Sequence, residues 1–593
     1  MSTWRVWGAV GVLLCGLLVA QLSGQQLYQE RRYEPVVIKH REMPIWEDLP
    51  IEQLYLYAYD AWTGVWRPMP FQIDEVYNTA DPCKPEVAEA RRDFYVQVGS
   101  ANVIAADANP AFDADDELVF LVGDMGDRAP DDAWLDDPDA RQHRRWEIEV
   151  ADPLNPSWRC YAYLYQSSTL NVQVPSPYGF AFDPAQQQVE TSMYRLRLSS
   201  TNGMVEDVAI KPPYGSGVDF FDTQKIRFVG YMDFFGLMTF TVGLGGAPAA
   251  NERDNLHLYQ AHEAGRYYFG YTARPVVRLV RTARQTIKFG VILLHEVAFY
   301  VKGYFYPFSA AVVGGANLDP EKLKAAFHTE NDIYIEMDLL RQSWDFNANA
   351  VGMRFHNRFN AGVPIDGVPD VVNSQIQLPI REWGLVTGPQ GSMFTMGTFR
   401  DTTWQSIALY YHDSQQGGVA DGTAGGDTGD GVSYGDYGIV FRGSGQDSVN
   451  LELGFVAYFL PANLPRSEAE KLAFIIQHPV KVAARAVSYP SGVATETPQT
   501  PAQFRLLPAF PNPAALGARL RFEAAGYEHL TLTVVDVKGR LVRTVTAGEF
   551  APGKHEVYWD GRDSEGNLLP PGVYTCWLRG AGRSSSTKVL LVR

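Results

Sequence analysis

The stretch from Arg505 to Arg593 limits the possible folds of this chain more than any other. It is built of short runs in which apolar and polar residues alternate, separated by turn residues at regular spacing, which is the pattern of a small β-sandwich. Leu520 and Phe522 alternate with Arg519 and Arg521, and Leu530 and Leu532 alternate with Thr531 and Thr533. Lys538-Gly539-Arg540 places a glycine where a hairpin corner needs positive φ. Glu556 to Trp559 and Val573 to Leu578 read as further strands. They are set off by the turn cluster 560–566 and by Pro570-Pro571-Gly572.

Several of these turns and strands also form a recognisable series. Pro511-Asn512-Pro513 comes first, then Val534-Val535-Asp536 with Gly539-Arg540, and Pro552-Gly553 with His555. Trp559-Asp560-Gly561-Arg562-Asp563 with Gly566, Pro571-Gly572-Val573-Tyr574 and the closing Lys588-Val589-Leu590-Leu591-Val592 follow. The series resembles the type A C-terminal sorting domains of type IX secretion cargo. It also resembles the closely related Ig-like domain of flagellar hook-capping proteins. The resemblance implies an Ig-like sandwich over 504–593 and secretion machinery as the partner of residues 505–593. It further implies a secreted or cell-surface location in a Gram-negative-type bacterium. It implies nothing about the chemistry of residues 26–490.

The other end of the chain agrees with export. Arg5 precedes an apolar run from Val6 to Leu22, interrupted only by Gln21 and followed by Ser23-Gly24, so residues 1–25 read as a signal peptide. After its cleavage no membrane span is expected. With 51 basic against 68 acidic residues the net charge is −17, which argues against a nucleic-acid partner because phosphate binding relies on basic patches. Aromatic residues make up 13% of the chain and favour strands, since flat rings pack well on a pleated face. An oxidising compartment permits a disulfide between Cys83 and Cys160.

Residues 26–487 read as one or more β-rich domains, with divisions expected near 170–190 and 310–320. Period-2 or apolar runs mark strands at Leu54 to Tyr59, Glu117 to Val122, Trp146 to Val150, Cys160 to Tyr165, Tyr194 to Leu198, Val276 to Val280 and Val297 to Tyr306. Helical signals are sparse. Asp319-Pro320 opens one candidate, and Ser467-Glu468-Ala469-Glu470 reads as a capping box opening a second, which Pro479 ends. Ser, Thr, Pro and Ala dominate 488–503, a linker. The expected fold is therefore mainly β: a large multi-sheet β-sandwich region, few helices, and a small Ig-like sandwich behind a tether.

Three places suit chemistry. Between Asp107 and Asp139 there are 12 acidic residues against one arginine, Arg128. Asp113 and Asp115 lie in its tightest part, and closely spaced carboxylates on a loop suit Ca²⁺ as well as they suit a solvated acidic surface. The run 413–436 is rich in Gly and Asp, and offers Asp427, Asp430 and Asp436 as ligands, or else a long mobile loop. Asp74 and Glu75 beside Trp66 and Phe71, with Asp116 or Glu117 opposite, are the carboxylates from which a glycosidase pair would be drawn. Trp66, Phe71 and Tyr434 are the candidate ligand-stacking rings. No nucleophile-elbow, P-loop or dinucleotide motif stands in a strand–helix context, and His295-Glu296 lacks the second histidine of a zinc helix, since that position is Phe299. Two readings remain. One is a secreted binding or structural protein, in contact with polysaccharide or cell-surface components. The other is an extracellular carbohydrate-active enzyme, a glycoside hydrolase or lyase using an Asp/Glu pair.

Overall fold

The computed structural model describes residues 31–591 apart from short stretches, the longest being 81–90, 96–110, 245–265, 319–333 and 491–503. The signal segment 1–25, Cys83, Asp430 and the helix expected from Asp319 lie outside the described residues. Strands dominate, and the one α-helix among the described residues is Arg466–Ile476. The mainly-β expectation holds.

Strand Leu54–Asp60 shows how the alternation works. Leu54, Leu56 and Ala58 point into one core, and Tyr57 and Tyr59 into another. Both faces are covered, so this strand is central rather than half-exposed. It belongs to a five-stranded sheet in the order Lys481–Val487, Arg145–Asp152, Asn155–Gln166, Leu54–Asp60, Val65–Pro68. A three-stranded sheet, Pro35–Lys39, Glu117–Leu121 and Gln72–Asp74, packs on its aliphatic face through Val36, Ile38, Ile73, Leu118 and Phe120. The edge strand Lys481–Val487 comes from far along the sequence, after the helix, and closes the N-terminal unit.

A nine-stranded sheet from Arg266–Tyr268 to Ala361–Pro364 and a five-stranded sheet from Leu237–Leu244 to Ser406–Ser414 form the central body. They share an aromatic core that includes Phe221, Trp344, Phe346, Phe355, Tyr437 and Phe459. The expected division near 310–320 falls within one sheet: Ser309–Leu318 pairs with Glu296–Phe305 on one side and Val449–Leu460 on the other. The helix begins one residue before Ser467, with Pro465 at the N-cap and no side-chain cap, so the capping box does not form. Val276 to Val280 is only partly strand, which starts at Leu279. Cys160, expected in a disulfide, is a free buried thiol with its Sγ 3.3 Å from the Met125 sulfur.

The C-terminal module closes on itself. Sheets Leu541–Phe550, Glu528–Val535, Gly572–Gly580, Arg583–Leu591 and Arg505–Leu506, Ala518–Ala524, Gly553–Trp559 enclose Leu520, Phe522, Leu532, Val534, Trp559 and Leu578. Gly539 has φ +77°, the corner the sequence requires. The module touches the N-terminal unit at the tip of one hairpin, where Arg521 pairs with Asp60 at 3.1 Å and the Lys554 ammonium lies 4.9 Å from the Trp62 ring centre.

One glycine marks how tightly the central strands approach. A Cβ on Gly438 would stand 1.9 Å from the Gln342 carbonyl oxygen. Gly438→Ala is expected to cost about 1–3 kcal/mol, because close-packed backbone cannot yield as a side chain does. The denaturant midpoint measures this; an unchanged midpoint would contradict the packing.

Candidate functional site

Two of the four carboxylates suspected of sugar chemistry, Asp74 and Glu117, come together. Gln72–Asp74 pairs with Glu117–Leu121 so that Asp74 lies directly opposite Glu117. Between them sits a cation that the sequence reading missed. The Arg278 Nε donates to Asp74 at 2.6 Å and its Nη2 donates to Glu117 at 2.7 Å. Gln72 donates to Asp74 and to the Arg278 carbonyl, and accepts from the Val276 amide at 3.0 Å. Burial raises the Asp74 carboxyl, with Arg278 and Gln72 opposing that rise. Asp116 accepts from the amides of Val76 (2.8 Å) and Asp113 (2.9 Å), which makes it the knot of its own turn.

Asp74, Glu75, Asp116 and Glu117 are all buried. An acid/base pair must reach its substrate. This cluster instead points inward and, through Arg278, joins the N-terminal sheet to the central body. The lone Arg278 in the apolar run 276–280 was the available signal, since a buried charge needs a partner.

The aromatic candidates are occupied as well. Trp66 packs on Tyr59, Tyr163 and Tyr165, with ring centres 4.9–5.5 Å apart, and the buried Arg145 guanidinium lies 4.5 Å from the Trp134 ring centre in the same cage. Phe71 belongs to the N-terminal core. Tyr434 packs against the central core, and its amide donates to Asp345 at 3.4 Å.

The described part of the Gly- and Asp-rich run, which includes Asp421 and Asp427, lies against a charged sheet face. Lys225 pairs with Asp345 (2.5 Å) and Asp427 (3.4 Å). Arg341 pairs with Asp421 (3.2 Å) and Asp427, and Arg227 lies 3.4 Å from Asp427 and 3.8 Å from Asp421. Burial opposes the Lys225 charge, yet Asp345, Asp436 and Asp427 outweigh it and raise the pKa. These aspartates thus meet side-chain cations. Asp113 and Asp115 lie at the surface of the N-terminal unit, with Arg41 3.1 Å from Asp115. Among the described residues no group of three or more His, Cys, Asp or Glu is arranged to hold a metal ion, and no helix is long and apolar enough to cross a membrane.

Comparison with known proteins bears on the C-terminal module. The FlgD Ig-like domain family matches residues 514–582. The basal-body rod modification proteins FlgD of Salmonella typhimurium and Salmonella typhi are each 40% identical over 47 residues, 8% of this chain and 20% of theirs. The chain therefore spans a fifth of the length of these relatives. Solved structures similar in outline include an alpha-mannosidase from Enterococcus faecalis V583, with TM-score 0.32 and 10% identity over 88% of this chain and 54% of that one. Another is dimeric latent PorU from Porphyromonas gingivalis, with TM-score 0.14 and 12% identity over 74% of this chain and 36% of that one. Scores this low bear on neither fold nor function. What the comparisons establish is an FlgD Ig-like domain behind a β-rich body.

Two outcomes follow from the buried groups. Arg278→Met leaves Asp74 and Glu117 buried without their shared counter-charge and is expected to cost about 3–5 kcal/mol. Chemical denaturation measures the loss, and a change below about 1 kcal/mol would contradict the brace. The second concerns acid. Burial pushes the Asp124 carboxyl from 3.8 up to about 6, against the Tyr178 hydrogen bond and Arg67. Asp413 reaches about 6 as well, through burial opposed by the amides of Asp366 and Gly367. Because the folded values lie above the unfolded ones, these contributions are fully present below about pH 4 and are lost as pH rises through about 6. Asp124→Asn is expected to flatten this part of the stability profile, and an unchanged slope would refute it.

Proposed function

We propose that this chain is an exported, β-rich binding or structural protein, and that its Ig-like module is the element recognised by secretion machinery. The observation that carries the reading is the module itself. It has a closed core of its own, a family match at 514–582 and the ordered turn motifs of sorting domains, and a Ser/Thr/Pro-rich segment precedes it. An element read by other proteins benefits from folding independently of its cargo and from being tethered rather than fused.

The body supports a binding or structural role by the fate of its charged groups. Asp74 and Glu117 are tied to Arg278 and Asp116 to backbone amides, and the suspected stacking rings are engaged in packing. Polysaccharide or another cell-surface component is the proposed ligand class, met by surfaces other than these rings.

Deletion of residues 505–593 in a cell that exports the full chain tests the sorting role. The expected result is body retained inside the outer membrane, with export of an unrelated reporter restored by grafting residues 488–593 behind it. Normal export of the truncated chain would refute the proposal.

A further inference from the structure

We propose that the outer face of the three-stranded sheet of the tail module is a receptor for an acidic, aromatic turn. In the resting chain, residues 60–64 of the N-terminal unit occupy that face as a salt-sensitive latch.

The turn is shaped to present two groups. Asp60 accepts the amides of Trp62 (2.8 Å) and Thr63 (2.9 Å) with its Oδ1, and Asp127 accepts the Ala61 amide at 3.0 Å. Gly64, at φ +72°, closes the corner. This fixes the Asp60 carboxylate with its Oδ2 turned to the Arg521 Nη2, 3.1 Å away. Ala61, Thr63 and Gly64 are exposed, whereas Trp62 is partly covered, with the Lys554 ammonium 4.9 Å from its ring centre. An indole at a turn tip would otherwise leave a large apolar surface in water.

The receiving face is equally well defined. Arg519 and Arg521 lie opposite Tyr558 and Glu556 of the neighbouring strand, and Lys554 lies opposite Glu523. Alternation sets all of them on the side away from the buried Leu520 and Phe522. Glu556 accepts from the Arg521 Nε at 2.7 Å, which aims the rest of the guanidinium at Asp60. Further along this face, Tyr558 stands within electrostatic reach of Arg32 and Tyr214 of the body.

Charge decides which partner the face fits. Residues 505–593 carry 12 Lys and Arg against 8 Asp and Glu, a charge of +4, and the rest of the chain carries 39 against 60, a charge of −21. The asymmetry is also local. The receiving face sets Arg505, Arg519, Arg521 and Lys554 against Glu523 and Glu556. Beside the turn, Asp132, Asp60 and Asp127 act together on Tyr59. The cations on that side are engaged elsewhere: Arg67 donates to the Asp124 carbonyl at 2.7 Å, and Arg128 lies against Glu147 and Asp131. Partly exposed ion pairs hold weakly and are screened by salt. Attachment to one chain makes weak contacts sufficient, because it raises their effective concentration. Latched, the Arg521 face is filled by the chain itself; released, it is open to a partner bearing the same acidic and aromatic groups. That consequence rests on the reading of the module as an element recognised by other proteins, whereas the latch itself does not.

Small-angle scattering of the full chain reads the latch with no secretion component present. The maximum dimension is expected to be larger by about 10–20 Å at high salt than at low salt, the reach of a short Ser/Thr/Pro-rich tether. Arg521→Gln, and Asp60→Asn, which keeps the oxygen that caps the turn, are each expected to give the extended form at low salt with an unchanged denaturant midpoint. If Asp60→Asn does not fold, Arg521→Gln decides. Equal dimensions of the wild type in both salts, or an Arg521→Gln variant as compact as the wild type at low salt, overturns the latch. Either failure leaves the sorting role to the separate test by tail deletion.

Discussion

Burial of opposite charges in matched sets is the constraint on which the body of this protein depends. Arg278 between Asp74 and Glu117, and Lys225 and Arg341 against Asp345, Asp421 and Asp427, are all removed from water. Each ion taken from water alone is very costly, and the attraction of a well-placed partner offsets that cost only with good geometry. Such sets act less as a source of stability than as a demand for one arrangement. A sheet shifted by one register would leave Arg278 facing apolar side chains and both carboxylates bare.

This demand explains how distant pieces of chain are brought into place. Asp74 and Glu117 lie about two hundred and one hundred and sixty positions from Arg278, yet they fix where the central body meets the N-terminal sheet. Arg31 does similar work at another seam. It donates to Asp152 at 2.7 Å and to the His478 carbonyl at 2.8 Å, close to where the last strand of the body returns to its first sheet. The Gly- and Asp-rich run is held the same way, by aspartates against lysine and arginine, so a run that reads as a loose loop is pinned at Asp421 and Asp427.

Much of the fold was legible because strand periodicity is local. Leu54–Asp60, Arg145–Asp152, Tyr194–Leu198 and the hairpin around Gly539 lie where alternation and turn chemistry put them. What sequence could not give was which strands pair. Lys481–Val487 beside Arg145–Asp152 spans more than three hundred positions, and no propensity encodes that partner. That Asp74 and Glu117 stand opposite each other is not visible in the sequence, and Arg278, which joins them, reads there as part of an apolar strand. Likewise Lys225 and Arg227, and Arg341, Ser343 and Asp345, show the period-2 spacing of a polar face. Such a face normally meets water, and only its buried pairing with Asp421 and Asp427 shows that it does not. The expected capping box failed for a smaller reason: Pro465, with its fixed φ, already starts the helix one residue earlier.

The tail module is built differently, around a core of apolar side chains. The claim that matched burial organises the body is tested most directly by a double-mutant cycle on Asp427 and Arg341. If each charge is buried for the other, the pair Asp427→Asn and Arg341→Met will lose less stability than the two single changes added together, with a coupling of about 1–3 kcal/mol. Additive losses would mean that the two groups are stabilised separately, and would contradict the account.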